Sequence, residues 1–437
     1  MSANVPLGGV RETNYRFVVA LLLFVAGLIN YMDRAALGIA APFLKEDLEL
    51  TPSELGLVFS TFFVGYGVFS FLGGQLADRY GPRRVYSWAV ASWSILCALT
   101  GTITSFGQLF WVRSLFGVAE GPMASTTNRT IKNWFPPGET GRAIGFTFSG
   151  QTLGSAIAAP IVGSVALAYG WRIAFFAIGA VGLVWIVFWR RWVTDRPREN
   201  PRVSAAEIRR VEVNRPISDA AVDHQSPALR AYLLRASVLS VGLGMFAGNY
   251  ALYIFLSWLP SYLIAALHFS VQQMSYVAAI PWACGFVGYI GGGALADLVY
   301  RRSSDRLRAR KLATSIPLAL AALALIAIDR APNAFTAVTS IALAVMLLTS
   351  SMQSCWATVH ELVPESRVGS VGGFVHLLSN VSGVIGPTAT GFAVQYLGGY
   401  GGVFVVAATI ATGGAAAMVL FVKRELPQSP IGVNATR

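Results

Sequence analysis

Four charged side chains sit where charge is expensive. Asp33 and Arg34 interrupt a long apolar segment: the run Phe17 to Ile29 leads in, and Ala35 to Phe43 continues beyond. Arg113 and Glu120 interrupt another. Each such charge costs roughly 2.5–3.5 kcal/mol on insertion scales, so all four should face a protein interior or a water-filled path. At about 100° per residue, Asn30, Asp33 and Arg34 share one helix face, with Tyr31 one turn before Arg34. Arg113 and Glu120, seven residues apart, share a face two turns apart, and Gly117 between them leaves room for a close neighbour. The quartet sums to zero charge and is tolerable only if its members pair when no ligand is bound. An incoming carboxylate would compete for an arginine, whose planar fork binds it bidentately and stays charged. The released acid could then take up a proton, so that anion and proton binding favour each other. The alternative is a set of structural ion pairs that only steadies helix packing, for Arg113 above all.

The elements that carry these charges must cross a membrane. Of 437 residues, 54% are hydrophobic and only 12% charged, against about a quarter charged in soluble domains. Apolar stretches of spanning length recur at 17–41, 54–76, 85–105, 107–128, 142–168 and 172–193, then at 235–265, 272–298, 312–328, 333–357, 368–396 and 400–422. The expected fold is all-α, with twelve transmembrane helices in two six-helix halves, 1–193 and 235–437. The intervening 194–234 is rich in Arg, Pro, Asp and Glu and reads as a cytoplasmic surface linker that buries little. Lysine and arginine collect in alternate loops: Arg79, Arg83 and Arg84; Arg129, Lys132 and Arg142; Arg301 to Lys311; Lys423 and Arg424. This bias places both termini in the cytoplasm of a plasma (inner) membrane protein, and it accounts for the net charge of +12 without nucleic acid. No basic tail and small-residue cleavage site frame the first span, so no removable signal peptide is expected. Cys97, Cys284 and Cys355 form no disulfide or metal pattern, and the four histidines are scattered. No enzyme constellation, metal or cofactor is expected; the proton is the coupling ion.

The halves echo each other. Gly74-Gln75-Leu76-Ala77-Asp78-Arg79-Tyr80-Gly81-Pro82-Arg83-Arg84 ends the second span, and Gly293-Ala294-Leu295-Ala296-Asp297, followed by Arg301-Arg302, ends the eighth. Gly141-Arg142-Ala143-Ile144-Gly145-Phe146 is matched by Gly369-Ser370-Val371-Gly372-Gly373-Phe374. Parallel repeats of this kind put the ligand at the midplane between the halves. Asp78, Arg142 and Asp297 are candidate gate residues that pair and unpair as the halves rock, or they serve only membrane topology.

The loop Gly-x-Leu-x-Asp-Arg-x-Gly-x-Arg-Arg resembles the signature of the major facilitator superfamily. Asn30-Tyr31-Met32-Asp33-Arg34, Arg113-Ser114-Leu115-Phe116-Gly117-Val118-Ala119-Glu120-Gly121-Pro122 and Tyr253-Ile254-Phe255-Leu256-Ser257-Trp258-Leu259-Pro260 resemble its anion:cation symporter family, which includes bacterial galactonate, glucarate and hexuronate carriers. The resemblance implies that Arg34 takes the substrate carboxylate, that Asp33 and Glu120 are proton sites, and that Arg113 partners Asp33. It further implies that Tyr31, Tyr66, Gln151, Asn249, Tyr253, Trp356, His376 and Asn380 line the pocket. Glucarate-type relatives have asparagine where His376 stands, so His376 is a departure that could alter ligand choice.

The expected activity is proton-coupled symport of a small organic anion, a sugar acid such as an aldonate, aldarate or hexuronate, by a monomer working through alternating access. A drug/proton antiporter shares the loop signature, but such exporters carry Gly-Pro in the fifth span, where this chain has Ala159-Pro160. A transporter-like sugar-acid receptor is the third reading, with no visible domain to pass on a signal.

Overall fold

The computed structural model describes residues 12–212, 229–363 and 365–423. The described residues form helices and loops, and the helices line up as twelve crossings. The N-terminal half holds α1 (Arg16–Asp47), α2 (Pro52–Tyr80), α3 (Pro82–Thr100), α4 (Phe106–Glu120), α5 (Met123–Trp134), α6 (Pro137–Tyr169) and α7 (Trp171–Trp192). Two short helices, α8 (Ala205–Glu212) and α9 (Leu229–Leu233), follow in the connection. The C-terminal half holds α10 (Ala236–Ala265), α11 (Val271–Val277), α12 (Ala279–Arg302), α13 (Arg306–Asp329), α14 (Ala334–Leu362), α15 (Glu365–Tyr396) and α16 (Val403–Phe421).

Ten crossings are long and apolar enough to span a membrane on composition alone. The third and fourth fall short for chemical reasons. Helix α3 spends its first turn on Pro82-Arg83-Arg84, which lowers the hydropathy of its 19 residues. The fourth crossing, expected to be continuous over 107–128, is broken into α4 and α5 at Gly121-Pro122, where proline lacks the amide that would continue the helix. The break ends α4 on Glu120, so this carboxylate sits at a helix terminus inside the bundle.

Helices start where the sequence supplies caps. Thr51 and Glu54 close a capping box ahead of α2, with Pro52 in the first turn. Ser105 caps α4 and Asn333 caps α14. Helices α2 and α4 cross closely at Gly117, whose missing Cβ lies against the Phe62 carbonyl. Any side chain there would meet backbone, which cannot swing away.

The halves meet through α1, α2 and α6 on one side and α10, α15, α11 and α12 on the other. The hydrogen bonds that join them cluster at the end bearing the α1–α2 loop. Ser53 N donates to Gln395 Oε1 (3.0 Å), and Thr388 bonds Ser60 through amide and hydroxyl (3.1 and 2.7 Å). Here Gly56 lies against Pro387 and Thr388, Gly38 against Leu256 and Ser257, and the Phe59 and Trp258 rings meet edge to face at 5.6 Å. At the opposite end, the linker end, the candidate gate residues pair inside their own halves. Asp78 bonds Arg129 (3.2 Å), Asp297 bonds Arg310 (2.9 Å), and Arg142 is exposed. Among the described residues, the halves are thus bonded to each other at the α1–α2 loop end (the sealed end), while Asp78 and Asp297 at the linker end bond within their own halves (the unlatched end).

The described part of the connection is partly helical and mostly exposed or half-buried, and its few buried residues make specific bonds to the N-terminal half. Residues 194–212 pack beneath the N-terminal half and terminate its helices. The Asp195 carboxylate accepts the Arg83 amide at the start of α3 (2.8 Å), and the Trp134 indole and Asn133 amide bond the Thr194 and Asp195 carbonyls (both 3.0 Å). Glu207 of α8, only 1% exposed, receives the Thr13 hydroxyl (2.5 Å) and the Tyr15 and Arg16 amides (2.8 and 2.9 Å), capping α1 from outside. Arg16 then bridges Glu12, Glu139 and Glu207 at 2.9, 2.9 and 3.2 Å, and Arg210 ties Glu12 to Glu139. The polar composition was read as solvation; it serves to satisfy helix ends. The remainder of the connection, 213–228, and Arg424 lie outside the described residues.

Two predictions follow from this packing. Burial pushes the Glu207 carboxyl up, but the bonds from the Arg16 and Tyr15 amides and the Thr13 hydroxyl outweigh it and hold the group below the usual carboxylate range. Its stabilisation is therefore present above the unfolded value of about 4.3 and is lost as pH falls through the lower folded value. Glu207→Gln should lower the melting temperature of the purified protein by a few degrees at pH 7. The gap to the parent should narrow below about pH 4. Gly117→Val should wedge α2 from α4 and give a protein that elutes as aggregate on size exclusion, whereas Gly107→Ala, where nothing lies within 4 Å of the added carbon, should behave as the parent.

Candidate functional site

The charged face of α1 meets the end of α4 deep in the N-terminal half. Arg34 Nε donates to Glu120 Oε2 at 2.6 Å, with 5% and 0% of the two side chains exposed. Three rings surround the guanidinium: Tyr31 at 5.0 Å, Phe62 at 4.7 Å and Tyr66 at 4.4 Å from their centroids. Cation–π attraction holds a cation in such a cage without neutralising it. Tyr66 and Phe62 lie one turn apart on α2, stacked at 5.5 Å, so one helix supplies both walls.

Asp33 projects about 100° around α1 from Arg34 and faces α3. Its Oδ1 accepts the Cys97 thiol at 3.7 Å, and its Oδ2 has no partner. The expected partnership of Arg113 with Asp33 is not made at ion-pair distance among the described residues. Arg113 lies two turns from Glu120 along α4, where its guanidinium packs over Phe116 (5.0 Å) and Phe175 (5.4 Å) and its Nε and Nη2 stay unpartnered. The quartet therefore holds one closed pair, Arg34–Glu120, and two buried charges facing apolar or weakly polar neighbours.

The C-terminal half closes on the same point. His376 of α15 sits between Tyr66 (6.3 Å between ring centroids) and Trp356 of α14 (5.8 Å). One turn on, Asn380 bonds His376 and receives the Tyr253 hydroxyl (3.2 Å). Tyr253 packs on Phe63 at 4.3 Å, while Asn249 bonds Ser379 at 2.5 Å. Gln151 of α6 lies against α1 at Gly27, one turn before Tyr31, without a bond to the other members. Among the expected residues, Tyr31, Arg34, Tyr66, Glu120, Trp356 and His376 form one continuous wall, with Tyr253 and Asn380 behind it. Asp33 and Arg113 stand apart on the N-terminal side.

Residues that the sequence reading passed over include Phe62, legible in hindsight as the partner of Tyr66 at helical spacing. Between Arg34 and the sealed end lies a void of about 30 Å³ bounded by Leu37, Phe59, Phe63, Arg113 and Leu256. That volume admits water but not a sugar-sized molecule. Trp356, by contrast, is 39% exposed, near the linker end of α14. Among the described residues no group of three His, Cys, Asp or Glu is placed to hold a metal ion.

The pattern of the Major Facilitator Superfamily matches residues 23–303 and 287–436. The hexuronate transporter of Bacillus subtilis (strain 168) is 38% identical over 95% of this chain and 97% of its own length. The probable L-galactonate transporter of Escherichia coli K12 is 29% identical, covering 93% of this chain and 89% of its own. In fold, the chain is similar to a D-xylose-proton symporter crystal structure (TM-score 0.75, 17% identity, 94% of this chain and 98% of that one). It is also similar to a bacterial homologue of the human lysosomal transporter Spinster, captured inward-facing and unoccupied (TM-score 0.71, 20% identity, 95% of both chains). With twelve crossings in two halves and a family match running nearly end to end, the chain belongs to the Major Facilitator Superfamily, whose members are membrane transporters and not enzymes.

Proposed function

We propose that this transporter carries a small polyhydroxy carboxylate together with protons, by alternating access, and that Arg34 receives the carboxylate. The observation that carries the reading is the 2.6 Å Arg34–Glu120 bond inside an aromatic cage at the meeting point of the halves. A ligand carboxylate offers the guanidinium the charge that Glu120 now supplies. Once displaced, Glu120 would be an unpaired anion in a low-dielectric interior, a state that several kcal/mol of desolvation oppose and that a proton relieves. Anion and proton thereby bind cooperatively, by linkage and not by contact.

Asp33, with one carboxylate oxygen unpartnered, is the second proposed proton site, and Arg113 supplies positive potential near both acids. The rocking bodies are the N-terminal half with 194–212 clasped to it, and the C-terminal half from about 235 onward. No further cofactor is required, and one chain suffices. The excess of lysine and arginine on the linker side supports a cytoplasmic position for that end, with access to Arg34 from inside the cell. The 38% identity to a hexuronate transporter favours a hexuronate, with aldonates and aldarates as near alternatives.

Uptake of labelled galacturonate, galactonate and glucarate into proteoliposomes, with and without an inward proton gradient, tests this reading. The parent should accumulate at least one sugar acid only with the gradient. Arg34→Ala should abolish uptake by at least 100-fold, the scale of losing a bidentate charged contact. Glu120→Gln should retain sugar-acid exchange while losing gradient-driven accumulation. Absence of sugar-acid flux in the parent, alongside proton-driven efflux of lipophilic cations, would sink the reading in favour of an antiporter.

A further inference from the structure

Away from Arg34, between α13 and α16 of the C-terminal half, runs a groove of about 420 Å³. Its lining is apolar: Leu312, Ile316 and Ala319 from α13, and Ala415, Ala416 and Leu420 from α16. Ile316 and Leu420 are exposed, so the groove lies on the outer, membrane-facing surface. The two hydroxyls in it are already spent on their own helices. Ser315 donates to the Lys311 carbonyl (2.8 Å) and Thr412 to the Ala408 carbonyl (2.9 Å). A polar solute finds no free donor here, whereas an apolar chain forfeits nothing by entering.

The groove follows the first turns of α13 and the last turns of α16, so one end of it opens at the linker end. That mouth is cationic. Arg308 lies one turn before Leu312 on the same helix face, and Lys423 stands just past the end of α16. Both are exposed. Half-buried Lys311, next to Leu312, donates to the Val422 carbonyl at 3.1 Å. That bond ties the two helix ends together and leaves the ammonium two hydrogens for another acceptor. The acid beside them, Asp305, is spent on capping α13, where it accepts the Arg308 amide (3.0 Å).

A groove on this surface meets either lipid or a helix of a second copy, and width decides between them. From Leu312 to Ala319 the helix rises roughly 10 Å, so the volume is about 7 Å across, narrower than a helix with its side chains. We propose that the groove binds an anionic phospholipid. One acyl chain lies between α13 and α16, and the headgroup phosphate meets Arg308, Lys311 and Lys423. Basic pockets between transmembrane helices take anionic headgroups in this way, by charge at short range. The site touches the C-terminal half alone, and it stands whatever anion the protein carries.

Native mass spectrometry of the purified full chain, titrated with phosphatidylglycerol or with phosphatidylethanolamine of identical acyl chains, tests this. The parent should retain phosphatidylglycerol at about tenfold lower lipid concentration. Arg308→Glu combined with Lys423→Glu should remove that preference. Arg301→Glu combined with Arg302→Glu makes the same change in net charge at exposed positions ending α12, and should leave the preference within about twofold. Ala416→Phe, at an exposed position, should fill the groove and weaken retention of both lipids. Melting temperatures without added lipid should match the parent's in both charge pairs, which separates lost binding from lost fold. Equal retention of the two lipids by the parent, or equal loss of preference in the two charge pairs, would overturn the proposal. So would a dimer of the parent that Ala416→Phe dissociates, since the groove would then hold a second copy.

Discussion

The constraint on which this molecule turns is a charge pair in a medium that tolerates none. Arg34 and Glu120 bond at 2.6 Å with almost no exposure, and each is the other's only strong electrostatic partner within hydrogen-bond reach. In such surroundings removing one partner costs several kcal/mol, because the other is left as an uncompensated buried ion. The pair is therefore a lock with few keys. A third species can enter only if it brings its own charge of the right sign, and the acid it displaces must then be neutralised. The cage of Tyr31, Phe62 and Tyr66 surrounds the guanidinium with rings that favour its charge, whichever anion it pairs with.

Placing that pair required local structure that runs against helix propensity. The Gly121-Pro122 break gives Glu120 a helix terminus rather than a mid-helix seat, and Gly117 lets α2 lie close enough for Phe62 and Tyr66 to reach Arg34. A continuous fourth helix with a larger residue at 117 would be a better span and a worse site. The same economy governs the linker end, where α8 presents Glu207 to the exposed amides of α1. A helix start near the membrane surface needs acceptors, and the connection provides them from a distance of almost two hundred residues.

Much of this was legible in residue types. Charges inside apolar runs announce the site because insertion energetics make them too costly to be incidental, and the halves announce themselves through the Asp78 and Asp297 loops. Pairing was less legible. Asp33 and Arg34 are adjacent in sequence but point about 100° apart, so which acid meets which arginine depends on how α3 and α4 lie around α1, and no spacing rule on one helix contains that. Arg34 met Glu120, while Asp33 met the thiol of Cys97. The bonds of the connection were illegible for a related reason: polar composition cannot separate a group solvated by water from one that satisfies a helix end.

The arrangement of the interface fits the proposal that one site serves two faces of a membrane. Contacts between the halves at the sealed end are small-residue and backbone contacts, Gly56 on Pro387, Gly38 on Leu256 and Ser60 with Thr388, close in fit but modest in energy. At the unlatched end the acidic members of the repeated loops, Asp78 and Asp297, rest on arginines of their own halves. Among the described residues neither of these ends carries a buried ion pair across the halves. The buried ion pair of the site lies inside the N-terminal half, at Arg34. Under the proposed function, a ligand that engages this arginine acts on the strongest bond in the site rather than on either gate.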